Sequence, residues 1–141
     1  MKTITHILSD AKTVAVVGLS PRPERASHHV ATYLQAQGYT VLPVNPEYAG
    51  QTILGAPVHA TLEAAARALP AGARIDIVDC FRRSEHMPAI AREAIAIGAG
   101  CLWMQLDIDS QQAADLAAAA GLDVVSDHCM KVEHARLRHG A

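Results

Sequence analysis

VVGLSPRPERASHHV, residues 16–30, decides how this chain folds. A run of β-forming residues stops at Gly18, and a helical pattern takes over near Ser27. The loop between them holds two prolines and two arginines, Arg22 and Arg25. A buried strand that passes through a short polar loop into a helix is the opening of a βαβ unit. The same alternation continues outward on both sides. A helix is expected around residues 3–11, then a strand over 13–19, a helix over 28–38 and a strand over 39–46. Beyond these the pattern gives a short helix over 61–70 and a strand over 75–81. A helix over 84–98 and a strand over 101–106 follow. Next comes a helix over 109–121, opened by Asp109 and Gln112 in capping-box spacing. A strand over 122–129 and a last helix through 131–139 complete the pattern.

Strands alternating with helices imply right-handed crossovers and a parallel sheet. The strands are apolar on both faces, as required when helices cover both sides. The expected fold is therefore α/β: a Rossmann-like, doubly wound sheet of five parallel strands in the order 3-2-1-4-5, with helices on both faces. A single domain over residues 1–141 accommodates it. Ligands of such sheets bind at the carboxyl ends of the strands, where the strand order reverses. The residues just after each strand are thus the informative ones.

Composition narrows the function. The 141 residues are 50% hydrophobic and 18% charged, with a formal net charge of −2. That balance argues against nonspecific nucleic-acid binding. No apolar run reaches the roughly 18 residues of a membrane span, and the opening MKTITHILSD lacks the apolar core of a secretory signal. Cys80, Cys101 and Cys129 show no paired spacing, which fits a reducing cytoplasm.

After the first strand stand Gly18, Ser20, Arg22, Arg25 and Ser27. Gly18 permits a sharp turn and close approach of a ligand. Ser27 reads as a helix N-cap, and the amides behind it form an anion site. Arg25 adds a guanidinium suited to phosphate. An ordinary capped loop with solvated arginines is the competing reading. Ser20 stands where a dinucleotide-binding G-x-G-x-x-G would have its second glycine. After the second strand come Val44, Asn45 and Pro46 in place of the acidic residue that holds a ribose diol, and the acidic Glu47 follows only after the proline turn, where it is expected to point elsewhere. Both features count against a nicotinamide dinucleotide. After the third strand come Phe81, Arg82 and Arg83, with Arg82 placed for an anion and Arg83 open to pairing with Asp79 or Glu85. Trp103 reads as core and Gln105 as a donor to a ligand.

Taken together, VAVVGLSPRPERASHHVATYLQAQGYTVLPVNP, IDIVDCFRRSEHMPAIAREAIAIGAGCLWMQL and AGLDVVSDHC resemble the small stand-alone CoA-binding proteins. Those are relatives of the N-terminal domain of the succinyl-CoA synthetase α subunit. The resemblance spans about Thr13 to Leu137. It implies coenzyme A or an acyl-CoA as ligand. Gly18, Ser20, Arg25 and Ser27 would then meet the phosphates. Val44, Asn45 and Pro46 would line the adenosine, and Phe81 and Arg82 would close the site. The synthetase subunit carries a lysine shortly after its proline turn; Tyr48 stands here, which removes one phosphate contact. Its phosphorylated histidine belongs to a later domain without a counterpart in these 141 residues, so the synthetase reaction is not expected.

Other chemistry is weaker. Asp127, His128, Cys129, Glu133 and His134 are clustered, but a zinc site wants a second ligand pair from another segment, so no metal is assigned. Asp127 is then a helix cap. Cys80 near Arg82 and Arg83 is a conceivable thiolate, with a free core cysteine as the stronger reading. The expectation is a noncatalytic, cytoplasmic CoA-binding module acting as carrier, sensor or regulatory partner. The alternatives are a nucleotide- or acyl-CoA-dependent enzyme, or an interaction subunit of a larger synthetase.

Overall fold

The computed structural model describes residues 1–139; Gly140 and Ala141, the end of the expected domain, lie outside the described residues. The chain runs α1 (Ile4–Asp10), β1 (Thr13–Val17), α2 (Ala26–Ala36) and β2 (Thr40–Val44). A two-stranded hairpin of β3 (Thr52–Ile53) and β4 (Ala56–Pro57) precedes α3 (Leu62–Arg67) and β5 (Ile77–Cys80). Then come α4 (Met87–Ala96), β6 (Cys101–Met104), α5 (Gln111–Ala119), β7 (Asp123–Val125) and α6 (Met130–His139). No helix among the described residues is long and apolar enough to cross a membrane.

Five parallel strands form one sheet with helices on both faces, the doubly wound, Rossmann-like arrangement that the alternation implies. Period-two alternation divides its apolar side chains between two cores. Ala15, Val78, Cys80 and Leu102 face α3, α4 and α5. Val14, Val16, Ile77 and Trp103 face α1, α2 and α6. Small residues let the helices approach closely: Ala91 and Ala94 on α4, Ala113 and Ala117 on α5, and Ala31 on α2 are all fully buried.

The strand order is β2-β1-β5-β6-β7. Counted over the five sheet strands this is 2-1-3-4-5, not the expected 3-2-1-4-5. β5 is buried along its whole length and lies between β1 and β6. β2 is an edge, with Thr40 exposed and Leu42 half-buried. Pro43 suits that place. The next outward-facing amide, Asn45 N–H just past β2, bonds the His59 carbonyl beyond the sheet. Position 43 shares that outward sense, so a proline there removes no bond to β1. The reversal point consequently falls between β1 and β5, which carries the end of β5 next to the loop after β1.

Some local features also differ. α2 begins at Ala26 with Arg25 as its N-cap, so Ser27 is inside the helix rather than capping it. α5 is capped by Ser110, whose hydroxyl accepts from Ala113 N–H, and not by Asp109. Asp127 caps no helix: it sits at φ +57° and its carboxylate accepts from Asp107 N–H in the loop after β6. The β3–β4 hairpin has no counterpart in the sequence reading. Its turn places Leu54 and Gly55 both at positive φ, and the leucine hides the usual Asn-Gly signal.

Candidate functional site

A cleft of about 670 Å³ opens at the carboxyl ends of β1, β2 and β5. Gly18 is its pivot. Gly18 N–H bonds the Val44 carbonyl, and Phe81 N–H bonds the Val17 carbonyl, so the three chain segments remain tied just past their strands. Gly18 has φ +88°, and a Cβ there would lie 3.3 Å from Arg82 Cδ. Glycine is therefore required both by the backbone and by the Arg82 stem stretched over it. Phe81 packs its ring against the core on the α2 side and leaves the Arg82 head facing the cleft.

The loop between β1 and α2 is held by its own serines. Ser27 Oγ, nearly fully buried, accepts from Ser20 N–H at 3.0 Å. Ser20 Oγ accepts from Arg22 N–H at 3.1 Å. Each hydroxyl keeps its hydrogen for a further acceptor. α2 receives no side-chain cap, and Ala26 and Ser27 of its first turn line the cleft. An uncapped helix start presents free amides and the positive end of the helix dipole.

The turn after β2 is equally fixed. Asn45 is buried; its side-chain amide donates to the Leu19 carbonyl, and its Oδ1 accepts from Glu47 N–H. The following single turn, Pro46–Tyr48, brings Pro46, Glu47 and Tyr48 to the cleft.

Eight of the nine residues that the resemblance assigns to the ligand line this one cleft: Gly18, Ser20, Arg25 and Ser27 from the first loop, Asn45 and Pro46 from the second, Phe81 and Arg82 from the third. Val44 does not. Its side chain is buried in the core beneath, and only its carbonyl serves the site. Sequence reasoning took Tyr48 only as a lost lysine contact and expected Glu47 to point elsewhere; the turn after Asn45 folds both back into the wall. Arg22 also lines the cleft. Among the described residues, Arg22, Arg25 and Arg82 have no carboxylate within ion-pair distance, whereas Arg83 pairs with Glu85 on the surface. Three guanidinium groups and a helix start thus face one opening in a chain whose net charge is −2. That arrangement suits a di- or polyanionic ligand.

Groups read as ligand contacts or reactive centres elsewhere are used internally. The Gln105 side-chain amide donates to Asp79 Oδ1, not into the cleft. Asp79 is fully buried, its other oxygen has no partner, and burial pushes its carboxyl up to about 7 against the Gln105 hydrogen bond that lowers it. Trp103 is core, with its indole N–H donating to the His128 carbonyl. Cys80 is fully buried, and burial followed by the nearby Asp79 raises its thiol well above the usual value, which disfavours a thiolate. His134 shares a 2.8 Å hydrogen bond with the Tyr33 hydroxyl; burial and then Arg138 hold its imidazole below the ordinary range.

Comparison with known proteins gives this cleft its context. Residues 12–135 match the family described as CoA binding domain. The chain belongs to the CoA-binding domain family. The uncharacterized protein YneT of Bacillus subtilis (strain 168) is 38% identical over 132 residues, 94% of this chain and 92% of that one. A solved Thermus thermophilus structure is 38% identical, with a TM-score of 0.85 and 94% of each chain covered. An acetyl-coenzyme A synthetase of Ca. Korarchaeum cryptofilum shares the fold alone, at 15% identity and a TM-score of 0.62 over 80% of this chain and 25% of its own. Membership of the CoA-binding domain family supports coenzyme A binding in general terms.

Proposed function

We propose that this protein binds coenzyme A or an acyl-CoA in the cleft between β1, β2 and β5, and acts as a noncatalytic carrier, sensor or regulatory module. The observation that carries the reading is the convergence of Arg22, Arg25 and Arg82 with the uncapped start of α2 on a single opening. The diphosphate of CoA meets those amides and guanidinium groups through Gly18, Ser20, Arg25, Ser27 and Arg82. The adenosine lies along Asn45 and Pro46, with Val44 supporting that turn from below, and Phe81 holds the Arg82 side of the mouth. Among the described residues, neither histidine nor cysteine lines the cleft. Free thiols at Cys80, Cys101 and Cys129 support a cytoplasmic setting.

The test is a thermal-shift titration with CoA and acetyl-CoA. Saturating ligand raises the melting midpoint by mass action. In Arg25→Ala the loss of a charged hydrogen bond weakens CoA by about 1.5–3 kcal/mol, roughly ten- to a hundredfold. A midpoint indifferent to both ligands overturns the reading, and an unchanged affinity in Arg25→Ala assigns that side chain to solvent.

A further inference from the structure

One cleft residue does not fit a purely cationic phosphate trap. Among the residues that line the cleft, Glu47 is the only carboxylate, sharing the opening with Arg22, Arg25 and Arg82. It has no lysine, arginine or histidine within ion-pair distance among the described residues. Its backbone is held firmly. Pro46 precedes it, its N–H donates to Asn45 Oδ1 at 3.0 Å, and Asn45 is itself buried and bonded to the Leu19 carbonyl. The charge is therefore displayed from a rigid turn at the end of β2.

In doubly wound sheets the end of the second strand is where a ribose passes, and an acidic residue there accepts its hydroxyl hydrogens. The two ends of this cleft impose the same path. Its amides and arginines at α2 take a diphosphate, and the wall made by Pro46 and the half-buried Tyr48 offers the apolar surface for a base. The sugar that joins them runs past Glu47. An ionised carboxylate only accepts hydrogen bonds. It suits free ribose hydroxyls and opposes a phosphate at the same place.

We infer that Glu47 tunes the cleft at the adenosine ribose, so that dephospho-CoA and its thioesters bind more tightly than their 3′-phosphorylated counterparts. The inference rests on the proposed CoA site and narrows it.

Calorimetric titration of the purified protein with dephospho-CoA and with CoA, at low ionic strength, tests it. Dephospho-CoA binds about tenfold more tightly than CoA to the unaltered protein. In Glu47→Gln the ratio falls to about threefold or less, and in Glu47→Lys the order reverses, as expected when a repelling charge is removed or inverted. Glu47 is exposed, so the ligand-free melting midpoint serves as the control for folding. Equal or tighter binding of CoA by the unaltered protein overturns the inference and leaves the CoA site standing. So does a ratio that Glu47→Gln and Glu47→Lys do not move. Failure of both ligands to bind overturns the CoA site itself, and the inference with it.

Discussion

Asp79 carries a carboxyl group into an interior that offers it one donor, the Gln105 amide, and no cation. Burial of an unpaired carboxylate is costly, so the group keeps its proton. The unfolded chain releases that proton near pH 4 and the folded chain near 7. Between those values the folded state binds the additional proton, and stability falls as pH rises. The loss approaches roughly 4 kcal/mol above the folded pKa. Asp79→Asn keeps an acceptor for Gln105 and cannot ionise. Denaturant melts from pH 5 to 8 should show the unaltered protein weakening across this range. The variant should match it only near pH 4 and below, hold a flatter profile, and exceed it by a growing margin from pH 5 to pH 8. Parallel profiles would mean that Asp79 is charged and compensated in the fold. The sequence placed Asp79 in a strand but not its solitude. Arg83 was an available partner in the chain, and the structure turns Arg83 outward to Glu85.

The loop from Gly18 to Arg25 and the helix α2 act as one element because Ser27 Oγ grips Ser20 N–H. Ser27→Ala leaves a part-buried amide unpartnered and frees the loop. A stability loss of about 1 kcal/mol is expected in denaturant melts, together with a weaker CoA-induced thermal shift. An unchanged melt and an unchanged shift would show that the loop holds its shape without that bond. The sequence marked Ser27 as important for a different reason, as a cap. Helix starts are poorly fixed by residue type when Ser, Arg and Ala adjoin, and here Arg25 took the cap position. β1, β5 and β6 were legible because each is a short apolar run bounded by polar residues. Their neighbours were not, since periodicity reports which face is buried and not which strand lies alongside. Pro43 was the one local pointer that β2 is an edge. The site followed the same division. Strand-end positions brought Gly18, Arg25 and Arg82 into view, while Glu47 and Tyr48 depended on the course of a turn that only the folded chain reveals.

On the scale of the whole molecule, a thin sheet separates two cores, and each core holds a cysteine. Cys80 belongs to the α3–α5 side and Cys101 to the α1–α2–α6 side, both fully buried and both with thiols raised chiefly by burial. Cys129 is half-buried at the margin. A disulfide-exchange reagent added to the native protein should therefore modify one thiol readily and the other two only on the timescale of global opening. Rapid reaction of all three under native conditions would show that one core opens on its own. The cleft sits above this division, just past the paired ends of β1 and β5. Trp103 gives a means of watching the same interior. It is the only tryptophan, it is fully enclosed, and it stands beside Asp79 in strand register. Its ultraviolet emission reports on the electric field at the centre of the fold, so ionisation of the neighbouring acid should register as a spectral step near neutrality, without any label being introduced.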